Sequence, residues 1–486
     1  MALKNFIVAI ELGSTKITGI AGQHKPDGTI AVLAVVREDA TQCIRKGVVY
    51  NIDKTVQCIT NVVQKLRAQL HAGIKHVFIG VGGQSIHSER NVIIRDMQEA
   101  MPVTQQMIVE MMDNNRSMEY PEMEILDVIV QEYRADSLSQ ADPVGVQCSH
   151  LEGNFLNILQ SKRHYNKLNT CFENAGVKIA EMYLAPYALA DAVLTPIEKR
   201  SGCVLVDLGA DTTTVMVYYK DVLRHIAVIP LGGNNITKDI CSLQIDESDA
   251  EKMKLTYASA YTPVEDMDPN LKYDIDSERK VDSSRFIELV EARVQEIVAN
   301  AMNQVPADYS DKIVGGIILT GGGSNLKNID LAFKKYANLD KVRIAHFVNT
   351  TVSSTSNEVN AKDGTMNTVL GLLVKGDQNC YLQEEQKPRD IFGNTIGAEQ
   401  PENGEEQAEP RDVNNLPNGV VQTAAEKAAA EKKAAELEAL KRAQDEKERR
   451  EAEEERRRQE EERKKKPGIA SKMIKWLNEL TKPEEE

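Results

Sequence analysis

The sequence predicts an α/β fold with a duplicated core, followed by a polar and partly helical C-terminal extension. Up to about Leu382, runs of β-branched residues alternate with helical patterns, which is typical of α/β architectures. One strand-and-turn pattern occurs in both halves of this region. After that point the chain is rich in Glu, Gln, Asn and Pro and poor in aromatic residues, so it cannot bury enough apolar surface to fold alone.

The composition excludes several classes of protein. With 486 residues, 41% of them hydrophobic, the chain is long enough for about two to four domains. Its 74 acidic and 59 basic side chains give a net charge of -15, which argues against nucleic acid as a partner. The seven cysteines show no C-x-x-C spacing, which indicates a reducing compartment and no structural zinc. No apolar run approaches the roughly 18 residues of a membrane span, so we expect a chain that is neither exported nor transmembrane.

The repeated pattern predicts two phosphate-binding turns. Residues 6–22 (FIVAIELGSTKITGIAG) and 203–219 (CVLVDLGADTTTVMVYY) each contain an apolar strand that ends in an acid, then Leu-Gly, small or hydroxyl residues, and a second strand. Such a turn lines a concave loop with backbone N–H groups and hydroxyls, and Lys16 adds a positive charge. An ordinary glycine-turn hairpin is the alternative for either copy, and the repetition favours phosphate binding. The candidate binding residues are Gly13, Ser14, Thr15, Lys16, Gly209, Ala210, Asp211 and Thr212.

The acids at the two strand ends are candidates for a metal site. Glu11 and Asp207 precede the Leu-Gly pairs. Mg²⁺ keeps much of its hydration shell and usually takes only one or two carboxylates, so these two acids could hold it through water.

A glycine run follows a third apolar strand, within residues 315–329 (GGIILTGGGSNLKNI). Three residues without side chains let a flat ring lie against the backbone, and the following helix N-terminus faces a ligand. A tight strand-to-helix turn is the alternative. The candidates here are Gly321, Gly322, Gly323 and Asn325.

These three segments, in this order, resemble the nucleotide-binding fold shared by actin, heat-shock chaperones and sugar kinases. Within that superfamily, residues 84–147, with QEY at 131–133 and DPVG at 142–145, resemble the inserted subdomain of the FtsA family of bacterial cell-division proteins. Residues 223–240 and 250–254 also match that family. The resemblance covers about residues 5–376 and the C-terminal helix, and it implies an actin-like duplicated nucleotide-binding fold with a small inserted α+β subdomain that binds ATP and Mg²⁺.

The resemblance also implies a division into domains. The parts that it implies are a first core half (1–83 and 162–194), an inserted subdomain (84–161), a second core half (195–234 and 305–382) and an outer lobe of that half (235–304). Composition and residue pattern, and not the resemblance, predict a disordered linker (383–422) and a charged helical tether (423–466), which the family does not require. An amphipathic membrane-targeting helix (467–482) is expected to follow them.

Further site residues come from the resemblance alone. In the superfamily an E-x-x-K helix faces the adenosine ribose, which makes Glu251 and Lys254 candidates; a solvated helix face is the alternative.

Chaperone-like relatives place a Glu before the proline of a connecting helix to orient water, whereas this chain has Ala185 before Pro186. Glu11 stands where the family usually has Asp, and Asp211 stands where relatives often have glycine. We therefore expect nucleotide binding, with weak or absent hydrolysis.

The C-terminal region predicts a tether and an anchor. Residues 423–466 combine strong helix formers with i,i+4 charge pairs, which favours a solvated single helix of roughly 60 to 70 Å. In residues 468–480 (GIASKMIKWLNEL) the apolar side chains fall within an arc of roughly 160°. This pattern predicts a surface-binding membrane helix; docking in a partner's groove is the alternative. The residues expected at the membrane are Ile469, Met473, Ile474, Trp476, Leu477 and Leu480, with Lys472 and Lys475 facing anionic lipid.

The resemblance implies a cell-division scaffold. Such a protein would polymerise on the cytoplasmic face of the inner membrane at the division site, as a peripheral membrane protein, and anchor the tubulin-like division protein FtsZ there. Arg293 and Glu296 become candidate contacts to FtsZ, and ordinary surface charges are the alternative. Other division proteins are expected on the inserted subdomain. A non-polymerising adaptor of the pilus type and, with less support, a sugar kinase are the competing hypotheses.

Overall fold

A computed structural model of the chain describes residues 5–268, 270–276, 279–382, 411, 413–465, 473–474 and 476–478. The strands are β1 (Ile7–Leu12), β2 (Lys16–His24), β3 (Ile30–Asp39), β4 (Ile44–Arg45), β5 (Val48–Val49), β6 (Gly73–Ile74), β7 (His76–Val81), β8 (His87–Pro102), β9 (Met123–Ala135), β10 (Leu138–Gln140), β11 (Gln147–Ser161), β12 (Lys178–Leu184), β13 (Cys203–Leu208), β14 (Thr213–Tyr219), β15 (Val222–Ile229), β16 (Lys272–Asp274), β17 (Lys280–Asp282), β18 (Gly316–Thr320), β19 (Val342–Ile344), β20 (Val352–Ser353), β21 (Tyr381–Leu382) and β22 (Val420–Val421). The helices are α1 (Ile52–Leu70), α2 (Gln105–Arg116), α3 (Lys162–Asn174), α4 (Ala185–Val193), α5 (Pro196–Ser201), α6 (Gly233–Cys241), α7 (Glu247–Tyr257), α8 (Ser283–Asn303), α9 (Ile329–Ala337), α10 (Asn357–Asn360), α11 (Asn367–Lys375) and α12 (Ala424–Lys465).

Two sheets carry the duplicated core. The first has the order β20-β3-β2-β1-β7-β12-β22, and the second has the order β10-β9-β11-β8-β15-β14-β13-β18-β19. In the first sheet, β1 is antiparallel to β2 and parallel to β7. In the second, β13 is antiparallel to β14 and parallel to β18. The block β3-β2-β1-β7-β12 therefore repeats as β15-β14-β13-β18-β19.

The apolar character of the central strands explains their position. Residues Phe6 to Ile10 before the first turn, and Cys203 to Val206 before the second, are all buried. Near-continuous apolar runs of this kind suit strands covered on both faces. Each apolar run ends at its acid. In both sheets, the acid and the turn that follows it therefore lie at one end of the central strand.

The inserted subdomain contains β8 to β11 and helix α2. Its own small core includes Val103, Met111 and Phe155. Strand β8 pairs with β11 along most of its length and meets β15 at one residue pair, His87 with Ala227.

Helices pack between and around the two halves. Helices α4 and α11 cross closely because Gly371 has no side chain; a Cβ there would lie 2.5 Å from the carbonyl oxygen of Ala188. Helices α6, α7 and α8 form the outer lobe, where Phe286 and Val290 are completely buried.

The expected disordered linker needs a correction at its C-terminal end. Residues 383–410 lie outside the described residues, as does residue 412. Residues 413–422 are described, and they include β22 (Val420–Val421), which pairs with β12. The low aromatic content of the segment as a whole concealed the short apolar run at Val420 and Val421, which is enough to close a sheet edge.

The charged helix predicted for residues 423–466 is present as α12. Within it, Arg450 pairs with Glu446 at 2.8 Å, an i,i+4 pair of the predicted kind. In the part of the chain that the structure describes, no helix is both long enough and apolar enough to cross a bilayer.

Candidate functional site

The two repeated turns have the same geometry. The N–H of Gly13 donates to the carbonyl oxygen of Lys16 at 3.0 Å, and the N–H of Gly209 donates to that of Thr212 at 2.9 Å. A Cβ on Gly13 would come within 2.9 Å of the Lys16 oxygen, and one on Gly209 within 2.7 Å of the Thr212 oxygen. Both glycines are therefore required by a close backbone approach. Ser14 and Thr15 lie inside the first turn, and Ala210 and Asp211 lie inside the second.

The acids that precede these turns occupy equivalent positions. Glu11 pairs across its hairpin with Thr18, and Asp207 pairs with Thr214. Burial, and after it the negative charge of Asp207, raise the pKa of Glu11 to about 8. Burial raises the pKa of Asp207 to about 6.

This electrostatic arrangement fits a hydrated cation. Two partly buried carboxylates repel one another, and a positive ion would relieve that repulsion. Among the described residues, no group of three or more His, Cys, Asp and Glu side chains is placed to hold a metal directly. Glu11 and Asp207 are two carboxylates, the number that a hydrated Mg²⁺ usually takes, so their chemistry fits such an ion.

Arg37 is a charged residue that acts on Glu11 and that the sequence analysis missed. Its positive charge lowers the pKa of Glu11, against the larger effects that raise it. Its Nη2 donates to Oγ1 of Thr365 at 3.2 Å, while its Nε is buried without a hydrogen-bond partner. Arg37 therefore connects strand β3 of the first core half to the loop that precedes α11.

The second turn is held against the start of helix α6. The N–H of Gly233 donates to the carbonyl oxygen of Gly209 at 3.0 Å, and the N–H of Asn234 donates to that of Ala210 at 2.7 Å. The carboxylate of Asp211 accepts from Nδ2 of Asn234 at 2.7 Å and from the N–H of Lys46 at 3.0 Å. Asp211 thus joins the two halves of the core instead of projecting freely into the cleft.

Glu251 and Lys254 are paired with each other on helix α7. Nζ of Lys254 lies 2.7 Å from Oε2 of Glu251, and both side chains also bond to the hydroxyl of Thr237. Nζ of Lys254 donates to the carbonyl oxygen of Gly233 as well, at 3.2 Å. The pair is therefore tied to the start of α6, beside the second turn.

The glycine run also lies at the second turn. Gly321 has a φ of 82°, and a Cβ there would lie 2.3 Å from Oδ1 of Asp207. Gly322 to Asn325 form a 3-10 turn, and Nδ2 of Asn325 donates to the carbonyl oxygen of Asp363 at 2.7 Å. Gly323 packs on Leu208. The glycine run therefore packs against Asp207 and Leu208, the two residues directly before the second turn.

Comparison with known proteins identifies the family. The chain is 32% identical over 346 residues to "Cell division protein FtsA" of Porphyromonas gingivalis, covering 69% of this chain and 72% of that protein. It is 30% identical over 337 residues to the protein of the same name from Neisseria meningitidis serogroup B, covering 67% of this chain and 80% of that protein. This chain belongs to the FtsA family. The family profile for cell division protein FtsA matches residues 204–370, and the profile for the SHS2 domain inserted in FtsA matches residues 83–159.

A solved structure independently shows the fold. A chain of the PilM–PilN type IV pilus biogenesis complex superposes with a TM-score of 0.53 at 16% identity, covering 77% of this chain and 99% of that chain. The predicted actin-like α/β fold with an inserted subdomain and a C-terminal extension is thus confirmed. The FtsA-family relatives also assign the chain a cell-division role.

Arg293 and Glu296 of this FtsA-family chain form part of a polar cluster on the outer lobe. The guanidinium of Arg293 binds Asp239 of α6 through two contacts, 2.5 Å and 3.0 Å long, and also pairs with Glu296. These residues line a groove together with Ser242 and Leu289. Arg293 is therefore engaged within its own lobe, whereas Glu296 lies at the more exposed edge.

The C-terminal helix is described in part. Among the expected membrane residues, Met473, Ile474, Trp476 and Leu477 are each more than half exposed, and they bring the only tryptophan of the chain to the surface. Ile469, Lys472, Lys475 and Leu480 lie outside the described residues.

Proposed function

We propose that this FtsA-family chain binds Mg-ATP between its two hairpin turns, polymerises on the cytoplasmic face of the inner membrane and links that membrane to FtsZ. The observation that carries the nucleotide part is the equivalence of Glu11 and Asp207, two partly buried carboxylates with raised pKa values at the ends of matching strands. Glu11 and Asp207 would hold Mg²⁺ through water, and the ion would supply the positive charge that relieves their repulsion.

Each part of the cleft has a separate task in this proposal. The backbone of the two turns and the charge of Lys16 would hold the phosphates, because N–H groups directed into a concave loop favour anions. The glycine run would lie under the base, and Glu251 with Lys254 would face the ribose. Ala185 offers no group to orient water, so we expect slow hydrolysis or none.

The membrane part is supported by the exposed apolar residues near the C-terminus. A single short amphipathic helix binds a bilayer weakly and reversibly. A filament would bring many such helices to one surface, so that weak binding becomes strong through avidity. We expect FtsZ at the groove beside Arg293 and Glu296, and other division proteins on the inserted subdomain.

Co-sedimentation with anionic liposomes tests this function. The full chain and a chain that ends at Lys466 would be compared with and without Mg-ATP. We expect only the full chain to pellet, and more of it with nucleotide. If both chains stay in the supernatant, membrane anchoring by this helix is refuted.

A matched pair of substitutions separates apolar contact from charge. Leu477→Glu and Asn478→Glu each add one negative charge at neighbouring positions, but only Leu477 lies within the apolar arc. We expect Leu477→Glu to abolish pelleting and Asn478→Glu to reduce it only slightly. Equal losses would mean that binding depends on charge and not on insertion of the apolar face.

A further inference from the structure

Residues 413–424, here called the strap, cover the edge of the first sheet. Val420 and Val421 pair antiparallel with Tyr183 and Met182. The N–H of Leu184 donates to the carbonyl oxygen of Gly419 at 2.7 Å. Both valines are at most 3% exposed, so the strap is packed into the core and not laid over it.

The strap also contacts the inserted subdomain. Oδ2 of Asp127, on β9, accepts the N–H of Gly419 at 2.7 Å. At the end of α2, Nε of Arg116 donates to Oδ1 of Asn414 at 3.2 Å, and Nδ2 of Asn414 donates to Oδ1 of Asp113 at 2.8 Å. One short segment therefore satisfies polar groups on two elements of the subdomain.

The C-terminal end of the strap is fixed to helix α3 of the first core half. The hydroxyl of Tyr165 donates to the carbonyl oxygen of Gln422 at 2.5 Å. The N–H of Ala424 donates to Oδ1 of Asn169 at 3.2 Å. The strap thus has partners on β12 and α3 of the core as well as on α2 and β9 of the subdomain.

We propose that the strap is a built-in latch that holds the inserted subdomain against the first half of the core. The subdomain also contacts strand β15 of the second half, where the N–H of Ile226 donates to Oγ of Ser88 and Nε2 of Gln131 donates to the carbonyl oxygen of Leu223. The strap adds contacts from the side of the first half. A segment that binds both bodies adds a connection that must break before the subdomain can change its orientation. It also covers a strand edge that would otherwise be open to pairing with another chain.

Gly419 is the residue on which the latch depends. Its φ is 85°, and a Cβ there would lie 2.9 Å from Cβ of Tyr187. A side chain at this position meets both backbone strain and a clash with a buried neighbour. Gly28 provides a matched control, because its φ is 81° and nothing lies within 4 Å of a Cβ placed there.

Hydrogen–deuterium exchange of the full chain, followed by mass spectrometry, tests the latch. We expect Gly419→Ala to speed exchange at least tenfold in the strap, in β12, in the last turn of α2 and around Asp127. Gly28→Ala should change exchange only in its own hairpin. Because Gly419→Ala could act through the core alone, a second variant addresses the subdomain contact.

Asn414→Ala removes the side chain that bonds to Asp113 and Arg116 but leaves the β-pairing in place. We expect at least threefold faster exchange at the end of α2 with unchanged protection at Leu184. The proposal is overturned if Gly419→Ala releases the strap without any change in α2 or β9. It is also overturned if the strap of the unmodified chain exchanges as fast as an unstructured peptide.

Discussion

The carboxylate of Asp207 helps to keep Glu11 protonated, although the two residues belong to different halves of the core. They end equivalent strands, and the negative charge of Asp207 adds to the burial that raises the pKa of Glu11 to about 8. The pKa of Asp207 itself is raised to about 6. Near pH 7 the pair therefore holds roughly one proton.

We expect the stability of the metal-free protein to fall as the pH rises from about 5 to about 8. Both pKa values are raised above those of the unfolded chain, so the folded state binds more protons in this window, and the free energy of unfolding decreases with pH. Each proton contributes at most about 1.4 kcal/mol per pH unit. Urea denaturation at several pH values in the presence of a chelator measures the slope. Glu11→Gln should make the free energy of unfolding depend less steeply on pH. An unchanged slope in that variant would contradict the raised pKa of Glu11.

Binding of Mg-ATP should release close to one proton at pH 7. The cation needs Glu11 in its ionised form, and metal binding to a protonated ligand displaces the proton. Calorimetry in two buffers with different ionisation enthalpies measures the number released. Glu11→Gln is the control, because it cannot release this proton. A binding enthalpy independent of the buffer in the unmodified protein would refute the coupling.

Replacement of Arg37 by Gln should weaken Mg-ATP binding about tenfold at pH 7, and less at pH 9. The guanidinium lowers the pKa of Glu11, so its loss makes the carboxylate harder to ionise, and a shift of one pKa unit corresponds to a factor of ten. Titration at the two pH values measures the difference. Arg45→Gln is a control for the loss of one positive charge, because the guanidinium of Arg45 lies over the ring of Tyr50 and is not one of the charges that shift the pKa of Glu11. Equal losses at both pH values would mean that Arg37 acts on the nucleotide directly.

Gly321 and Gly322 should respond differently to replacement by alanine. Gly321→Ala places a Cβ 2.3 Å from Asp207 at a φ of 82°, so we expect a loss of roughly 2 kcal/mol or more in stability. At Gly322 the nearest atom is Cγ2 of Thr365, at 3.6 Å, so the fold should tolerate alanine. If the base lies on this backbone, Gly322→Ala still weakens ATP binding. Thermal unfolding of both variants measures the loss of stability, and nucleotide titration measures the loss of ATP affinity. Normal ATP affinity in Gly322→Ala would show that the adenine base does not lie on this backbone.

Local patterns predict the centre of the candidate site. The acid, the Leu-Gly pair and the small residues of each turn are adjacent in sequence, and their repetition points to Glu11 and Asp207, which the structure places at equivalent strand positions. Arg37 was missed because a single arginine in an apolar strand gives no sign of the face on which it lies. Its partner Thr365 is far away in the sequence.

The strap was missed for a related reason. Val420 and Val421 are held in place by pairing with β12, a strand far earlier in the chain. Composition averaged over the linker describes whether a segment folds alone, and it says nothing about whether a short apolar run can complete an existing sheet. Asp127 and Gly419 have no sequence pattern that would connect them.

Glu296, and not Arg293, offers the cleaner test of the proposed FtsZ contact. Arg293 binds Asp239 with two contacts inside the lobe, so Arg293→Ala should reduce the stability by about 1 to 2 kcal/mol as well as any affinity for FtsZ. The side chain of Glu296 is 48% exposed, and an exposed ion pair contributes little, so Glu296→Ala should change the stability by less than about 1 kcal/mol. Affinity for purified FtsZ and thermal unfolding should be measured for both variants. A several-fold loss of affinity in Glu296→Ala at unchanged stability places FtsZ on this groove. Normal affinity in both variants would move the contact elsewhere on the lobe, because neither the guanidinium nor the exposed carboxylate would then face the partner.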